Sequence, residues 1–306
     1  MSNYKLVSVI IPTYKRADTL PRAIKSVLNQ KYSNIEIVVV DDNSPDSVDR
    51  RLTEKAMEQF LEYSKVNYIK HEKNKNGSAA RNTGFRNSNG DFIMFLDDDD
   101  EFINDKITSQ VAKLESIDNS WGACYTNYVR KKDGKIVVYG AEKKEGTLFK
   151  EELMRNLFIH AGSNLMVRRS VVQEVNGFDE SFQRNQDVEF LTRVLMKYKL
   201  AYVDGVGLIV HVHENKIGKE KFEEITVDYL NKFSSFINKL ENEDKDMIYK
   251  MINLQLIRYF LTTKGKRIKA YSLIKNGNLN CFLLIRYLTH LLVRKFTKRA
   301  YGFDVK

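Results

Sequence analysis

The sequence predicts an α/β fold, a mostly parallel central sheet with helices on both faces, followed by a helical C-terminal region. Three observations predict it. Leu6–Ile11, Ile35–Val40 and Phe92–Leu96 are short apolar runs without helical period, as in strands buried on both faces. A stretch of helical spacing separates the first two, which makes a right-handed crossover between parallel strands. Each run then ends in a polar turn, at Thr13-Tyr14, Asp41-Asp42 and Asp97–Asp100. Those turns gather on the sheet edge where open α/β sheets hold ligands.

The elements follow in order. Pro12 closes the first strand. Over Thr19–Gln30, Leu20, Ala23, Ile24, Val27 and Leu28 recur at helical spacing, with Asp18 or Thr19 as cap and Pro21 in the first turn. Asp49–Ser64 reads as a charged helix and Val66–Lys70 as a third strand. Gly77–Phe85 opens a helix whose Ala79, Ala80 and Gly84 permit close packing. Ile103–Ile117 and Glu151–Phe158 read as helices, and Trp121–Arg130 with Ile136–Tyr139 as antiparallel strands around Lys132-Asp133-Gly134. A helix over Gln186–Lys199 buries Leu191, Val194 and Leu195, and a strand over Val206–Val212 leads to His213. Beyond residue 215, Phe222–Leu240, Met247–Leu261 and Cys281–Phe296 read as amphipathic helices. The last sets Leu284, Ile285, Leu288, Leu291 and Leu292 opposite Arg286, His290 and Arg294.

Composition narrows the function classes. Two cysteines, Cys124 and Cys281, support neither a disulfide framework nor a cysteine-rich zinc site, and fit a reducing compartment. No run is long enough for a membrane span, and the first apolar stretch, stopped by Pro12, is too short for a signal segment. Lys+Arg against Asp+Glu is 31 to 31 in residues 1–215, 8 to 8 in 216–263 and 11 to one in 264–306. The whole net charge of +10 therefore sits in the last segment, which looks for an anionic surface, lipid or nucleic acid. Nucleic acid is disfavoured, because no recognition module and no aromatic–basic interleaving is present.

The chemistry centres on Asp91–Phe102. Four consecutive aspartates, Asp97 to Asp100, repel one another unless the loop is fully solvated or holds a divalent cation. Asp42, ending the second run, can accept from a base N–H or ribose hydroxyl, or can serve as a turn carboxylate. Arg81 can offset phosphate charge or form an ordinary ion pair. Asp187 stands in a first helical turn, where any protein favours a carboxylate, and His213 can be a metal ligand or a surface group. There is no Gly-rich dinucleotide or P-loop signature.

The ordered segments VSVIIPTYKR (7–16), SVLNQ (26–30), IEIVVVDDNSPD (35–46), NGSAARNTGF (76–85), NGDFIMFLDDDDEF (89–102), NGFDESF (176–182), QDVEFLTRV (186–194) and HVH (211–213) resemble the family 2 glycosyltransferases of the Rossmann-like GT-A fold, of the bacterial, glycan-building type. The resemblance covers roughly residues 5–215. It implies a catalytic domain over 1–215, with a nucleotide-binding half 1–100 and an acceptor-binding half 101–215, and a separate basic helical region over 216–306. It also implies an inverting hexosyl- or N-acetylhexosaminyl-transferase dependent on Mn2+ or Mg2+. Pro12, Tyr14 and Asp42 would hold the uracil and ribose of a UDP-sugar, and Arg81 would lie near its phosphates. Asp97-Asp98-Asp99 would be the DXD motif, with Asp99 on the metal and Asp97 and Asp98 on the nucleotide side. His213 would complete the metal shell, Asp187 would be the general base, and Gly162, Ser163 and Asn164 would lie near donor sugar and acceptor. The acceptor would be a glycan, lipid-linked or at the cell surface, and the protein would be cytoplasmic or peripheral at the inner membrane face.

Three departures from the family pattern stand out. Asp98 replaces a small residue in D-[SA]-D-D, Gln186 stands where Glu usually precedes the base, and His211 stands where an Arg is often found. Outside the resemblance, the basic helices suit either a membrane-surface anchor or packing, including a homo-oligomer contact. Two other functions compete: a sugar-1-phosphate nucleotidyltransferase, which would want a Gly-rich loop absent from Ile10–Arg16, and a non-catalytic partner that keeps the fold for assembly or sugar binding.

Overall fold

Val7–Thr13 (β1), Ile35–Asp41 (β2), Val66–Lys70 (β3) and Phe92–Phe95 (β4) form the parallel half of one sheet in a computed structural model of the chain. The structure describes residues 4–103, 105–182, 184–212, 222–276 and 279–305. β1 is central, with Val7 in register with both Ile35 and Phe92. Both of its faces are covered, which is why its sequence is apolar without alternation. Val7, Val9 and Ile11 join one core cluster with Leu20, Ile24, Ile107 and Leu114. On the other face, a Cβ added at Gly84 would come within 2.3 Å of Ile10 Cγ2, so the glycine lets its helix lie directly on the sheet.

Beyond β4 the sheet is mixed. Glu101–Phe102 (β5), Trp121–Lys132 (β6), Lys135–Gly140 (β7), Met166–Arg168 (β8) and Lys199–His211 (β9) continue it. β8 is antiparallel to both β4 and β6, β7 is antiparallel to β6, and β9 runs parallel to β6 while pairing antiparallel with β5. The helices of this part are Leu20–Leu28 (α1), Val48–Met57 (α2), Gly77–Arg86 (α3) and Lys106–Glu115 (α4). Phe149–Leu153 (α5), Ala161–Asn164 (α6), Arg169–Glu174 (α7) and Gln186–Leu195 (α8) follow. Ser47 caps α2 by accepting from Arg50 N at 3.1 Å, and Asn76 caps α3 by accepting from Ala79 N at 3.1 Å.

The chain forms two compact units, Met1–Phe149 with Ile159–Val212, and Lys150–Phe158 with His213–Lys306. In the second unit, Phe222–Ile237 (α9), Asn242–Thr262 (α10), Arg267–Asn276 (α11) and Cys281–Thr297 (α12) gather around the short excursion 150–158. Gln255 Nε2 donates to Met154 O at 2.9 Å. Asn156 Nδ2 donates to Phe303 O at 2.6 Å and Phe303 N donates back to Asn156 Oδ1 at 2.9 Å.

Some local expectations are corrected. The helix expected over 151–158 stops at Leu153, because Arg155 takes the left-handed φ of 51°. The strand expected over 206–212 begins at Lys199 and passes through Asp204 and Gly205, with irregular pairing to β6 there. α11 was not expected at all.

Candidate active site

The carboxyl ends of β1, β2 and β4 open on one cavity of about 530 Å³, lined among others by Pro12, Tyr14, Asp42, Arg81, Asp97 and Asp98. The six positions expected to hold a nucleotide therefore border the same space. The cause is parallel pairing, which brings all three polar turns to one edge.

Asp42 is buried and does structural work there. Its Oδ1 faces His71 Nδ1 at 2.7 Å and accepts from Lys75 N at 2.8 Å, while Oδ2 accepts from Asn74 Nδ2 at 2.8 Å and Asn76 N at 3.0 Å. One carboxylate thus shapes the whole turn into α3. Neighbouring Asp41 pairs with buried Arg50 at 3.0 Å and accepts from Tyr68 Oη at 2.6 Å. His71, Asn74 and Asn76 carried no sequence signal of this role, because they only meet Asp42 through the fold.

The four aspartates have four different environments. Asp97 accepts from Arg81 Nη2 at 2.6 Å, and its backbone N–H donates to Ser163 Oγ at 3.0 Å. Asp98 is buried beside Tyr14 N, at 3.3 Å. Burial, and then the charges of Asp99 and Asp97, push its carboxyl up to about 8. Asp99 turns to Arg16 at 3.1 Å, and its carbonyl accepts from Arg22 Nη2 at 2.8 Å. Asp100 Oδ2 meets His160 Nε2 at 3.2 Å, and Oδ1 accepts from His211 N at 3.3 Å. Burial opposes protonation of His160, but the hydrogen bond and charge of Asp100, with Asp97 beyond, outweigh it and raise the pKa.

One ligand atom each from Asp97, Asp100 and His160 lies within 4.8 Å of the others, the only such group among the described residues. Two carboxylate oxygens and one imidazole suit a divalent cation that accepts nitrogen as well as oxygen, Mn2+ better than the oxygen-preferring Mg2+. The metal positions expected from sequence were Asp99 and His213. Asp99 is engaged by Arg16, and His213 lies outside the described residues. His160, with a left-handed φ of 58° before α6, was missed because only the sheet brings it to Asp100.

Across the cleft, α8 carries Gln186 and Asp187 in its first turn. Arg81 Nη1 donates to Gln186 Oε1 at 3.1 Å, so Arg81 links this helix to Asp97. With a glutamate at 186, Arg81 would be shared between two carboxylates; the amide leaves it committed to Asp97. A Cβ added at Gly162 would lie 3.2 Å from Asp97 Oδ2 and 3.6 Å from Asp187 Oδ2. Both carboxylates therefore border the space over one glycine. Ser163 reaches the site through Asp97, but Asn164 does not. Fully buried, Asn164 accepts from Lys106 Nζ at 2.6 Å and Thr126 Oγ1 at 2.8 Å and donates to Thr126 O and Ile159 O at 2.6 and 2.7 Å. Its side chain is spent holding α6 in place.

The chain is similar to known glycosyltransferases in sequence and in fold. A sequence model of Glycosyl transferase family 2 matches residues 8–175. An uncharacterized glycosyltransferase of Rickettsia prowazekii is 30% identical over 279 residues, 88% of this chain and 83% of that protein. One of Rickettsia bellii is 29% identical over 289 residues, which are 89% of this chain and 39% of the relative, so the chain spans well under half of that protein. A Campylobacter jejuni protein named GalNAc(5)-diNAcBac-PP-undecaprenol beta-1,3-glucosyltransferase is 28% identical over 203 residues, 64% of this chain and 62% of its own length. Among solved structures, Staphylococcus aureus TarS 1–349 in complex with UDP-GlcNAc matches with a TM-score of 0.67 at 16% identity, over 96% of this chain and 89% of that one. The last likeness concerns the fold alone. The chain belongs to glycosyl transferase family 2, a family of sugar-transferring enzymes, and its mixed sheet with flanking helices is the GT-A fold.

Proposed function

We propose that this chain is an inverting, metal-dependent glycosyltransferase that moves a sugar from UDP to a hydroxyl of a lipid-linked or cell-surface glycan, with Asp187 as general base. The observation that carries the reading is that Asp97, which lines a nucleotide-sized cavity, and Asp187 both border the same open space over Gly162. The UDP donor is supported by the likeness to TarS with UDP-GlcNAc, and the lipid-linked acceptor by the name of the Campylobacter relative.

The roles follow from position. Pro12, Tyr14 and Asp42 line the nucleotide end, where Asp42 also fixes the loop wall. Arg81 stands where diphosphate charge would lie, held by Asp97 and Gln186. Asp97, Asp100 and His160 would hold the divalent cation, and Asp99 would join them on leaving Arg16. A cation bound there supplies Lewis-acid stabilisation of the leaving diphosphate. Asp187 takes the proton from the acceptor hydroxyl as that oxygen attacks the anomeric carbon. One displacement inverts the anomeric centre, and no covalent enzyme intermediate forms.

The test is Asp187→Asn assayed with a panel of UDP-sugars, alongside titration of UDP with Mn2+ and with EDTA. Loss of a general base should lower turnover by about 10²–10⁴-fold while UDP affinity stays within about threefold. Unchanged turnover would remove Asp187 from the role. UDP binding indifferent to EDTA would remove the metal, and no UDP binding at all would remove the donor.

A further inference from the structure

α12 is turned the opposite way from the orientation its sequence suggests. Phe282, Ile285, Leu288, Leu292, Val293 and Phe296 are 43–82% exposed. At about 100° per residue these six positions form one continuous stripe along the helix. Two of the residues expected to face water, His290 and Arg294, turn inward instead. Arg294 stacks on Phe158 with its guanidinium carbon 4.0 Å from the ring centroid, while Arg286 sits at the border of the two faces, 5.7 Å from both the Phe303 ring and the outer Phe282 ring. His290 meets Tyr301 edge-on at 5.0 Å, and burial drags its pKa down to about 4. Leu283 and Tyr287 complete the inner face. The aromatic side chains of Phe158, Tyr301 and Phe303 thus cover the basic stripe and leave the apolar one outside.

We infer that the outer stripe of α12 is an interfacial docking surface for an anionic lipid bilayer. Exposed stripes of this size mark partners rather than water. The charge selects which partner. Residues 281–300 contain five basic residues and no acidic one. Lys295, Lys298 and Arg299 are exposed at the C-terminal end of the stripe, where they reach a lipid headgroup layer. A symmetric pairing with a second copy would instead set the same cations against themselves with no acid on the helix to answer them. No helix among the described residues is long and apolar enough to cross a membrane, so the helix would lie in the surface plane. An apolar face toward the acyl chains and cations at headgroup level is the pattern of such helices. The inference concerns binding alone and does not depend on which sugar is transferred.

Flotation of the full chain with phosphatidylcholine vesicles, with and without phosphatidylglycerol, tests it. Binding should require phosphatidylglycerol and weaken with added salt. Lys295→Gln, Lys298→Gln and Arg299→Gln should each reduce it about fivefold. Ile285→Gln with Phe296→Gln should reduce it more than tenfold. All these positions are exposed, so circular dichroism should show an unchanged fold. No binding to anionic vesicles at low salt overturns the inference, as does equal binding to neutral vesicles by wild type and charge variants. A dimer abolished by the apolar double substitution would also overturn it and assign the stripe to a second copy.

Discussion

Gly162 shows how much a missing side chain can matter. Its φ is not in the left-handed region, so the glycine is there for space: any Cβ would press on Asp97 Oδ2 at 3.2 Å. Gly162→Ala should fold normally, since a shift of a few tenths of an ångström relieves the contact. It should nevertheless lower turnover by about tenfold to a hundredfold, because it occupies the place where sugar and acceptor would meet. Steady-state kinetics beside a melting curve checks this, and unchanged turnover would show that the reaction lies elsewhere in the cleft. At this scale the sequence is informative where chemistry is local. The aspartates announce themselves by following an apolar strand. Asn164 misleads, since its neighbours in sequence reach the site while its amide faces Lys106 and Thr126. Nothing nearby in the chain distinguishes the two outcomes.

At the scale of elements, α4 and α6 are joined by a buried amine. Lys106 opens α4, where a cation is disfavoured by the helix dipole, and its Nζ donates to Asn164 O, Asn164 Oδ1 and Thr126 Oγ1 at 3.0, 2.6 and 3.1 Å. Burial draws its pKa down to about 7 from 10.5. Between those values the unfolded chain binds more protons than the folded one, so this group's contribution to stability rises with pH across that window. Below pH 7 the full burial penalty remains. Lys106→Met removes three hydrogen bonds that a buried amine makes to Asn164 and Thr126, and should destabilise the protein by about 2–4 kcal/mol at pH 8. The gap to wild type should widen from pH 7 to pH 9 by up to about 1.4 kcal/mol per unit, read by urea unfolding. A constant gap would mean that Lys106 stays charged throughout. Legibility among the elements follows burial. β1, β2 and β4 are covered on both faces, so mostly apolar runs without helical period declare them. β9 hides its length because exposed Asp204 and Gly205 interrupt the apolar run. α12 has the expected bounds but the opposite facing, because its hydrophobic pattern cannot specify which stripe finds the aromatic rings.

At the scale of the whole molecule, the fold class was legible because three parallel strands with polar ends permit few arrangements. The division into units was less so. The sequence suggests a boundary near residue 215, yet Lys150–Phe158 belongs with the C-terminal helices, and its apolar residues read from sequence as a helix of the catalytic part. A chain ended after Val212 would lose Tyr229 and Gln255, which donate to Glu152 O and Met154 O in a segment whose Leu153 and Met154 are buried in the intact protein. Such a truncation should aggregate under conditions that keep the full chain in solution, read by light scattering; a monomeric fragment would show that the excursion is dispensable. The same topology bears on how the protein is made. Asn156 waits for Phe303, which is joined to the chain 147 residues later. At ordinary synthesis rates that is roughly 7–30 s. Throughout that interval the segment 150–158 lacks its later-made partners, so Leu153 and Met154, buried in the finished protein, stay open to misplaced contacts on the ribosome.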